Sequence, residues 1–326
     1  MKRRTFVTLL GATLGWPLTA PAQQPAVVIG FLSSRAPGES ASVVAAFRAG
    51  LREQGFIEGQ NLAIAFRWAE GDYKRLPTLA AELVGLRVAL LFAAGGPPSA
   101  LAAKAATSII PIVFSAASDP VRLGLVASLS RPGGNITGMS TLTTPLGAKG
   151  VALLKELLPR ASVIAQLVNP SNPSGELESK EARAAADALG VQLRVVTAST
   201  VDEIDAVFGV LAKPPRPDAL IVAGEPFFDS QRAKIVALTA RYAIPASYAW
   251  RENVVAGGLM SYGASLTESY REAGVYSGRV LKGEKPDNLP VMQPAKFELV
   301  LNLKTAKSLG LMFPQSLLVR ADELIQ

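Results

Sequence analysis

The sequence predicts an α/β protein built as two doubly wound parallel-sheet lobes joined by a hinge that the chain crosses several times. Short β-branched apolar runs alternate with Ala- and Leu-rich amphipathic segments. That β-α-β-α rhythm, with near-continuous apolar strands, suits a parallel sheet covered by helices on both faces. The rhythm restarts at residue 161. A third block, residues 256–326, is too small to be a domain, so its pieces are expected to return and complete the two sheets.

The elements follow in order. "AVVIGFLSS" (26–34) reads as a buried strand ending in two hydroxyls. Residues 41–55 form an amphipathic helix, with Val44, Phe47 and Leu51 on one stripe and Gly55 as its stop. Strands are expected at 61–71, 88–96 and 110–120, and helices at 73–86 and 97–107, the latter tolerating proline in its first turn. "PVRLGLVASL" reads as a further helix, C-capped by Arg131, where a cation is favoured. Beyond it, "SRPGGNITG" (130–138) is a chain reversal approaching the hinge; it lacks the Lys-Ser/Thr of a phosphate loop. The second series comprises a strand and polar loop at 161–174, a helix at 176–190, a strand at 191–200 and a helix at 201–211. It continues with a strand at 218–228, a helix at 229–242 and a strand at 244–250. The last block holds a strand at 257–263, a helix at about 266–282 and a strand-plus-helix tail at 297–310. One lobe is therefore expected at 23–138 plus about 262–287, the other at 139–261 plus about 288–326.

Residues 1–22 read as a cleaved export signal. Lys2, Arg3 and Arg4 precede a mainly apolar run from Phe6 to Leu18, and Ala20-Pro21-Ala22 has the small-x-small cleavage pattern. Arg3-Arg4-Thr5-Phe6 resembles a twin-arginine signal. The apolar run is too short to span a bilayer, which takes about 20 residues. Cleavage after Ala22 leaves 304 residues, with 30 basic against 26 acidic side chains. No basic run interleaved with aromatics remains, so nucleic acid is not an expected partner.

Cysteine and histidine are both absent from the chain. That removes thiol and Ser-His-Asp nucleophiles, disulfides, a lipidated cysteine and the commonest soft metal ligands. No metal or cofactor is expected, and any catalysis would rest on carboxylates, Lys or Tyr.

In open parallel sheets ligands sit beyond the carboxyl ends of the strands, so two facing sheets make a cleft lined by those loops. The loops here offer Ser33, Ser34, Gly95, Gly96, Ser115, Asp119, Asn169, Asn172, Glu225, Tyr248, Ser261 and Tyr262. Hydroxyls and backbone N–H groups suit a carboxylate, an acid suits an ammonium, and an aromatic face suits an apolar part. Thr137 and Ser140 are the only residues near the 130–138 turn expected to reach the solute. Asp119, before Pro120, is equally readable as a helix N-cap. Glu225 follows a buried strand, where a carboxylate is costly unless it faces a cleft. Tyr262 is the expected lid or platform. "GGPPSA" (95–100) lacks the pattern of a nucleotide loop, and "NIT" (135–137) matches a glycosylation acceptor by chance.

Several stretches in order resemble one family: "GFIEGQNLAIAFRWAEGD" (55–72), "PIVFSAASDPVRLGLVASLSRPGGNITGMS" (111–140), "AGGLMSYG" (256–263), residues 280–311 and "LLVRADELIQ" (317–326). They are similar to the ABC transporter substrate-binding proteins of the tryptophan/tyrosine type, which have the type I periplasmic binding protein fold. The resemblance spans the mature chain. It implies a soluble periplasmic receptor that hands a small solute to a membrane permease and its ATPase subunit, and a monomer is expected. The loop groups point to a small carboxylate-bearing solute, and the resemblance favours an aromatic amino acid. Many relatives are lipoproteins, whereas this chain has no cysteine to carry a lipid. A ligand-sensing subunit for a receptor kinase, and a periplasmic enzyme on the same fold using Asp119 and Glu225, are the alternatives.

Overall fold

The computed structural model describes residues 26–141 and 144–326, so the leader read at 1–22 lies outside the described residues. The first series is β1 (Val27–Ser33), α1 (Ala41–Glu53), β2 (Leu62–Trp68), a 3-10 turn (Tyr73–Arg75), α2 (Leu76–Gly85), β3 (Leu90–Ala94), α3 (Pro97–Ala106), β4 (Ile112–Ala116) and β5 (Ile136–Ser140). The second series begins with α4 (Thr144–Leu157), β6 (Val163–Val168), α5 (Gly175–Ala188), β7 (Gln192–Thr197) and α6 (Val201–Leu211). It continues through β8 (Ala219–Val222), α7 (Pro226–Ser230), α8 (Arg232–Arg241), β9 (Ala246–Tyr248), α9 (Arg251–Val255) and β10 (Met260–Gly263). Last come α10 (Leu266–Leu281), β11 (Glu298–Asn302), α11 (Leu303–Ser308), α12 (Gln315–Arg320) and β12 (Glu323–Ile325).

These strands form two sheets, ordered β2-β1-β3-β4-β5 and β12-β11-β10-β9-β8-β6-β7. Among the described residues, every strand pairing is parallel except β10 with β11. The apolar strands are buried because helices cover both faces: β3 and β4 are buried throughout. The molecule is thus two parallel-sheet α/β lobes.

The last block returns to both lobes. α10 lies on α1, where an added methyl at Gly50 would sit 1.9 Å from the Arg271 carbonyl oxygen and one at Gly274 2.2 Å from that of Phe47. Only glycine allows the two backbones this close. Tyr270 of α10 then meets Phe92 of β3 edge-on, with ring centroids 5.6 Å apart, and Phe92 stacks on Phe47 of α1 at 4.2 Å. β11 and β12, by contrast, extend the second sheet beside β10. Between α10 and β11 the chain runs alongside β5: Ser140 N–H donates to Met292 O at 2.8 Å, and Met292 N–H to Gly138 O at 2.9 Å. The crossing segments are therefore tied to one another by backbone bonds.

The segment after β4 departs from expectation. Residues 120–129 make no helix but a series of turns, with Gly124 in the left-handed region at φ 65°. Asp119 caps the first of these: its Oδ1 accepts from Val121 N–H at 2.9 Å and Arg122 N–H at 3.2 Å. With no helix there, Arg131 caps none; its backbone N–H and O instead bond Ser128 Oγ. The turn at 130–135 delivers the chain into β5, the fifth strand of the first sheet, which the sequence had shown only as a lead toward the hinge.

Candidate functional site

The carboxyl ends of the two sheets face one another, and the loops beyond them meet. From the first lobe come Arg35 after β1, Tyr73 after β2, Gly95-Gly96 after β3 and Ser115 on β4; α10 adds Tyr270. The second lobe supplies Asn169 after β6, Glu225 and Asp229 at α7, and Trp250 after β9. Tyr73 and Asn169 reach the junction by bonding Glu225, and a small cavity bounded by the other residues leaves about 20 Å³ open to the centre of a water-sized sphere.

Glu225 is the acceptor at this junction. It is the N-cap of α7, and its Oε1 accepts from Phe228 N–H at 2.8 Å. Its Oε2 accepts from Tyr73 OH at 2.6 Å and from Asn169 Nδ2 at 3.3 Å. Tyr73 OH in turn accepts from Phe227 N–H at 3.1 Å, so one first-lobe phenol is held by two second-lobe groups. Burial pushes the Glu225 carboxyl up, to about 7, against the Tyr73 hydrogen bond that lowers it. Burial also keeps Tyr73 protonated, well above its ordinary value. Behind Glu225, the carboxyl of Glu178 on α5 is raised to about 8 by burial, with only the Gly224 N–H drawing it down.

A second pair spans the cleft: Arg35 Nη2 donates to Asp229 Oδ2 at 2.5 Å, with both side chains buried. Burial disfavours both charges. It raises Asp229 to about 6 against the pull of Arg35, while Asp229 keeps the Arg35 guanidinium above its ordinary value. Ser33 shapes this loop, its Oγ accepting from Arg35 N–H at 3.1 Å. Three further buried donors near the junction make no hydrogen bond among the described residues: Arg35 Nε, Arg232 Nε and Trp250 Nε1.

Gly95 and Gly96 take φ values of 78° and 94°, which residues with a side chain rarely adopt. The loop is pinned by Ser34 Oγ, which donates to Gly95 O, by Tyr270 OH, which accepts from Gly95 N–H at 3.0 Å, and by Ser115 O, which accepts from Gly96 N–H at 3.1 Å. A methyl on Gly96 would come within 3.1 Å of Pro226 Cγ in the other lobe. Ser115 Oγ lies 3.2 Å from Ser269 Oγ of α10.

Of the residues expected from sequence, Ser33, Ser34, Gly95, Gly96, Ser115, Asn169 and Glu225 converge here. Others lie elsewhere. Asp119 holds its own turn and an Arg122 contact at 3.6 Å. Thr137 is buried, its Oγ1 donating to Leu289 O at 2.6 Å. Ser140 donates to Ser118 O at 2.6 Å and lines a larger cavity beside the crossing segments, of about 480 Å³ on the same measure. Asn172 caps a turn, its Oδ1 accepting from Ser174 N–H at 3.0 Å, and lines a surface groove with Asn169. Tyr248 sits in the second-lobe core, its hydroxyl 3.0 Å from Thr239 Oγ1. Tyr262 stacks on Phe297 at 5.8 Å, under Lys149 Nζ at 5.2 Å, and does not line the interlobe cavity.

The sequence reading missed Arg35, Tyr73, Asp229, Trp250 and Tyr270. Arg35 and Tyr73 each fall within a few residues beyond a strand end, a signal that was available. Asp229 and Tyr270 lie within helices, where nothing local marks them.

Two parallel-sheet lobes whose loops meet over buried polar groups define a two-lobed binding protein with the type I periplasmic binding fold. The chain belongs to the ABC transporter substrate binding protein family, which it matches over residues 28–325. It is 28% identical over 261 residues to a tyrosine-binding protein of Clostridioides difficile (strain R20291), covering 80% of this chain and 74% of that one. It superposes with a TM-score of 0.81 on an ABC domain from Streptococcus pneumonia in complex with L-Trp, at 27% identity, covering 91% of this chain and 100% of the other. On the ligand-free, open structure of a substrate binding protein with adhesive properties from Clostridium difficile, the TM-score is 0.64 at 26% identity, covering 92% and 100%. The protein is therefore a substrate-binding protein of an ABC transporter, and this family is one of binding proteins rather than enzymes.

Proposed function

We propose that this chain is the periplasmic solute-binding component of an ABC importer. It takes a small carboxylate-bearing solute, an amino acid with the aromatic type favoured, between its lobes and presents the closed form to a permease driven by an ATPase. It works as an exported monomer divided near residues 138, 261 and 287. The observation that carries this reading is the pairing of buried groups across the cleft, Tyr73 with Glu225 and Arg35 with Asp229. Such groups are costly to bury unless paired. A solute entering between the lobes would take over part of that pairing, its ammonium on Glu225. Because those contacts need both lobes, the solute stabilises the closed form by its differential affinity. The better superposition on the Trp complex than on the open relative supports a closed arrangement here, and the Tyr- and Trp-binding relatives support the solute class.

Thermal-shift screening and isothermal titration over the amino acids and small organic acids test this. The reading expects saturable stabilisation by at least one carboxylate-bearing solute, recovered unchanged after long incubation. Absence of any stabilisation across the panel would count against it.

A further inference from the structure

The three donors without acceptors share one place. Arg35, Arg232 and Trp250 all line a second small interlobe cavity, with about 10 Å³ open to the centre of a water-sized sphere, room for about one atom of that size. Arg35 and Trp250 are 6% and 4% exposed, so neither has bulk water to turn to. Ser42 and Val43 bring the first turn of α1 to the same cavity. The N-cap of that helix, Ser40, makes no side-chain capping bond, its hydroxyl donating to Ala36 O at 2.8 Å instead. A guanidinium from each lobe, an indole N–H and an uncapped helix start thus point to a missing acceptor.

Carboxylates also border the cavity, and they limit what that acceptor can be. Asp229 engages Arg35 through Nη2, leaving Nε over; among the described residues Glu39 and Glu252 make no ion pair within 4 Å of either arginine, although Arg35 and Arg232 act on Glu39, and Glu252 on Arg35, at longer range. With three acids facing two guanidiniums, the cavity repels a dianion such as a phosphate or sulfate ester, and what it offers a single carboxylate is unpaired N–H donors rather than net positive charge.

We propose that Arg35, Arg232 and Trp250 form the anion end of the solute site, receiving one oxygen of a carboxylate that lobe closure buries against the first turn of α1. This rests on the cleft being the solute site, and it assigns the carboxylate to these side chains instead of the strand-end hydroxyls. Arg232 and Trp250 then become specificity-determining residues: they select solutes that keep a carboxylate over their decarboxylated amines.

The test titrates L-tryptophan, L-tyrosine and benzoate, together with tryptamine and tyramine, into the wild type, Arg232→Gln, Arg232→Lys and Trp250→Phe. Melting temperatures within a few degrees of the wild type establish folding. Each carboxylate that binds the wild type should lose about tenfold in affinity in Arg232→Gln and several-fold in Trp250→Phe, with partial recovery in Arg232→Lys. The amines should bind the wild type at least as weakly as their parent amino acids bind Arg232→Gln. Unchanged affinity in both variants, or tryptamine binding as tightly as tryptophan, overturns the anion end while leaving the cleft reading standing. If the wild type binds nothing in this panel, the aromatic-solute reading fails and the proposal falls with it.

Discussion

The phenol of Tyr73, from the first lobe, donates to Glu225 Oε2 of the second at 2.6 Å while accepting from Phe227 N–H at 3.1 Å. One side chain thus reports whether the cleft is open or shut. Hydrogen bonds to charged groups contribute about 1.5–3 kcal/mol, so Tyr73→Phe should destabilise the closed form by about that much. Solute affinity should fall about tenfold in titration calorimetry, with little change in the melting temperature of either lobe in the open form. Unaltered affinity would mean the pair forms no part of closure.

Stability should depend on pH in an unusual direction. Glu178 and Glu225 are raised to about 8 and about 7 in the folded chain, above the ordinary carboxylate value. Between the unfolded and folded pKa values the folded state holds more protons, so stability falls as pH rises. The melting temperature should therefore be higher near pH 5 than near pH 8. The difference from these two groups should be on the order of 6 kcal/mol. Glu178→Gln should flatten much of that slope. A slope that rises with pH in this window would contradict the burial of these carboxyls.

Tyr248 should behave as core. Its ring is buried in the second lobe and its hydroxyl bonds Thr239. Tyr248→Ala should lower stability by about 3 kcal/mol or more. Tyr248→Phe should cost about 1 kcal/mol and leave solute affinity unchanged. Denaturant unfolding paired with titration separates these outcomes.

Gly96 should resist even the smallest substitution. At φ 94° and ψ −170° it occupies backbone space that is nearly exclusive to glycine. Gly96→Ala adds a methyl facing Pro226 of the other lobe, so it should cost about 1–3 kcal/mol and weaken solute-driven closure as well. Unfolding curves with and without solute measure both effects.

Much of this architecture was legible in the chain because it is written in local periodicity. α6 spans residues 201–211 as the pattern predicts, and β1 and α1 end within two residues of expectation. The turn region 120–129 misled because Pro120, Leu123 and Leu125 imitate a helical start and stripe, whereas Gly124 at positive φ breaks it. Glu225 was legible because a carboxylate after a buried strand requires a partner. Its partner Tyr73, and the Arg35–Asp229 pair 194 residues apart, were not, because they depend on how two lobes meet. No window of sequence encodes that meeting.

The absence of cysteine allows the most direct test of the central claim, that a solute closes the two lobes. Cysteines introduced at Ile109 and Val210, both exposed and remote from the cleft in the first and second lobe, can be spin-labelled without competing thiols. Pulsed electron resonance then measures the distance between the lobes with and without a solute found by titration. Closure predicts that solute collapses a broad distribution to a single shorter distance, and that Glu225→Gln weakens this shift. A distribution that stays the same while the solute demonstrably binds would contradict it.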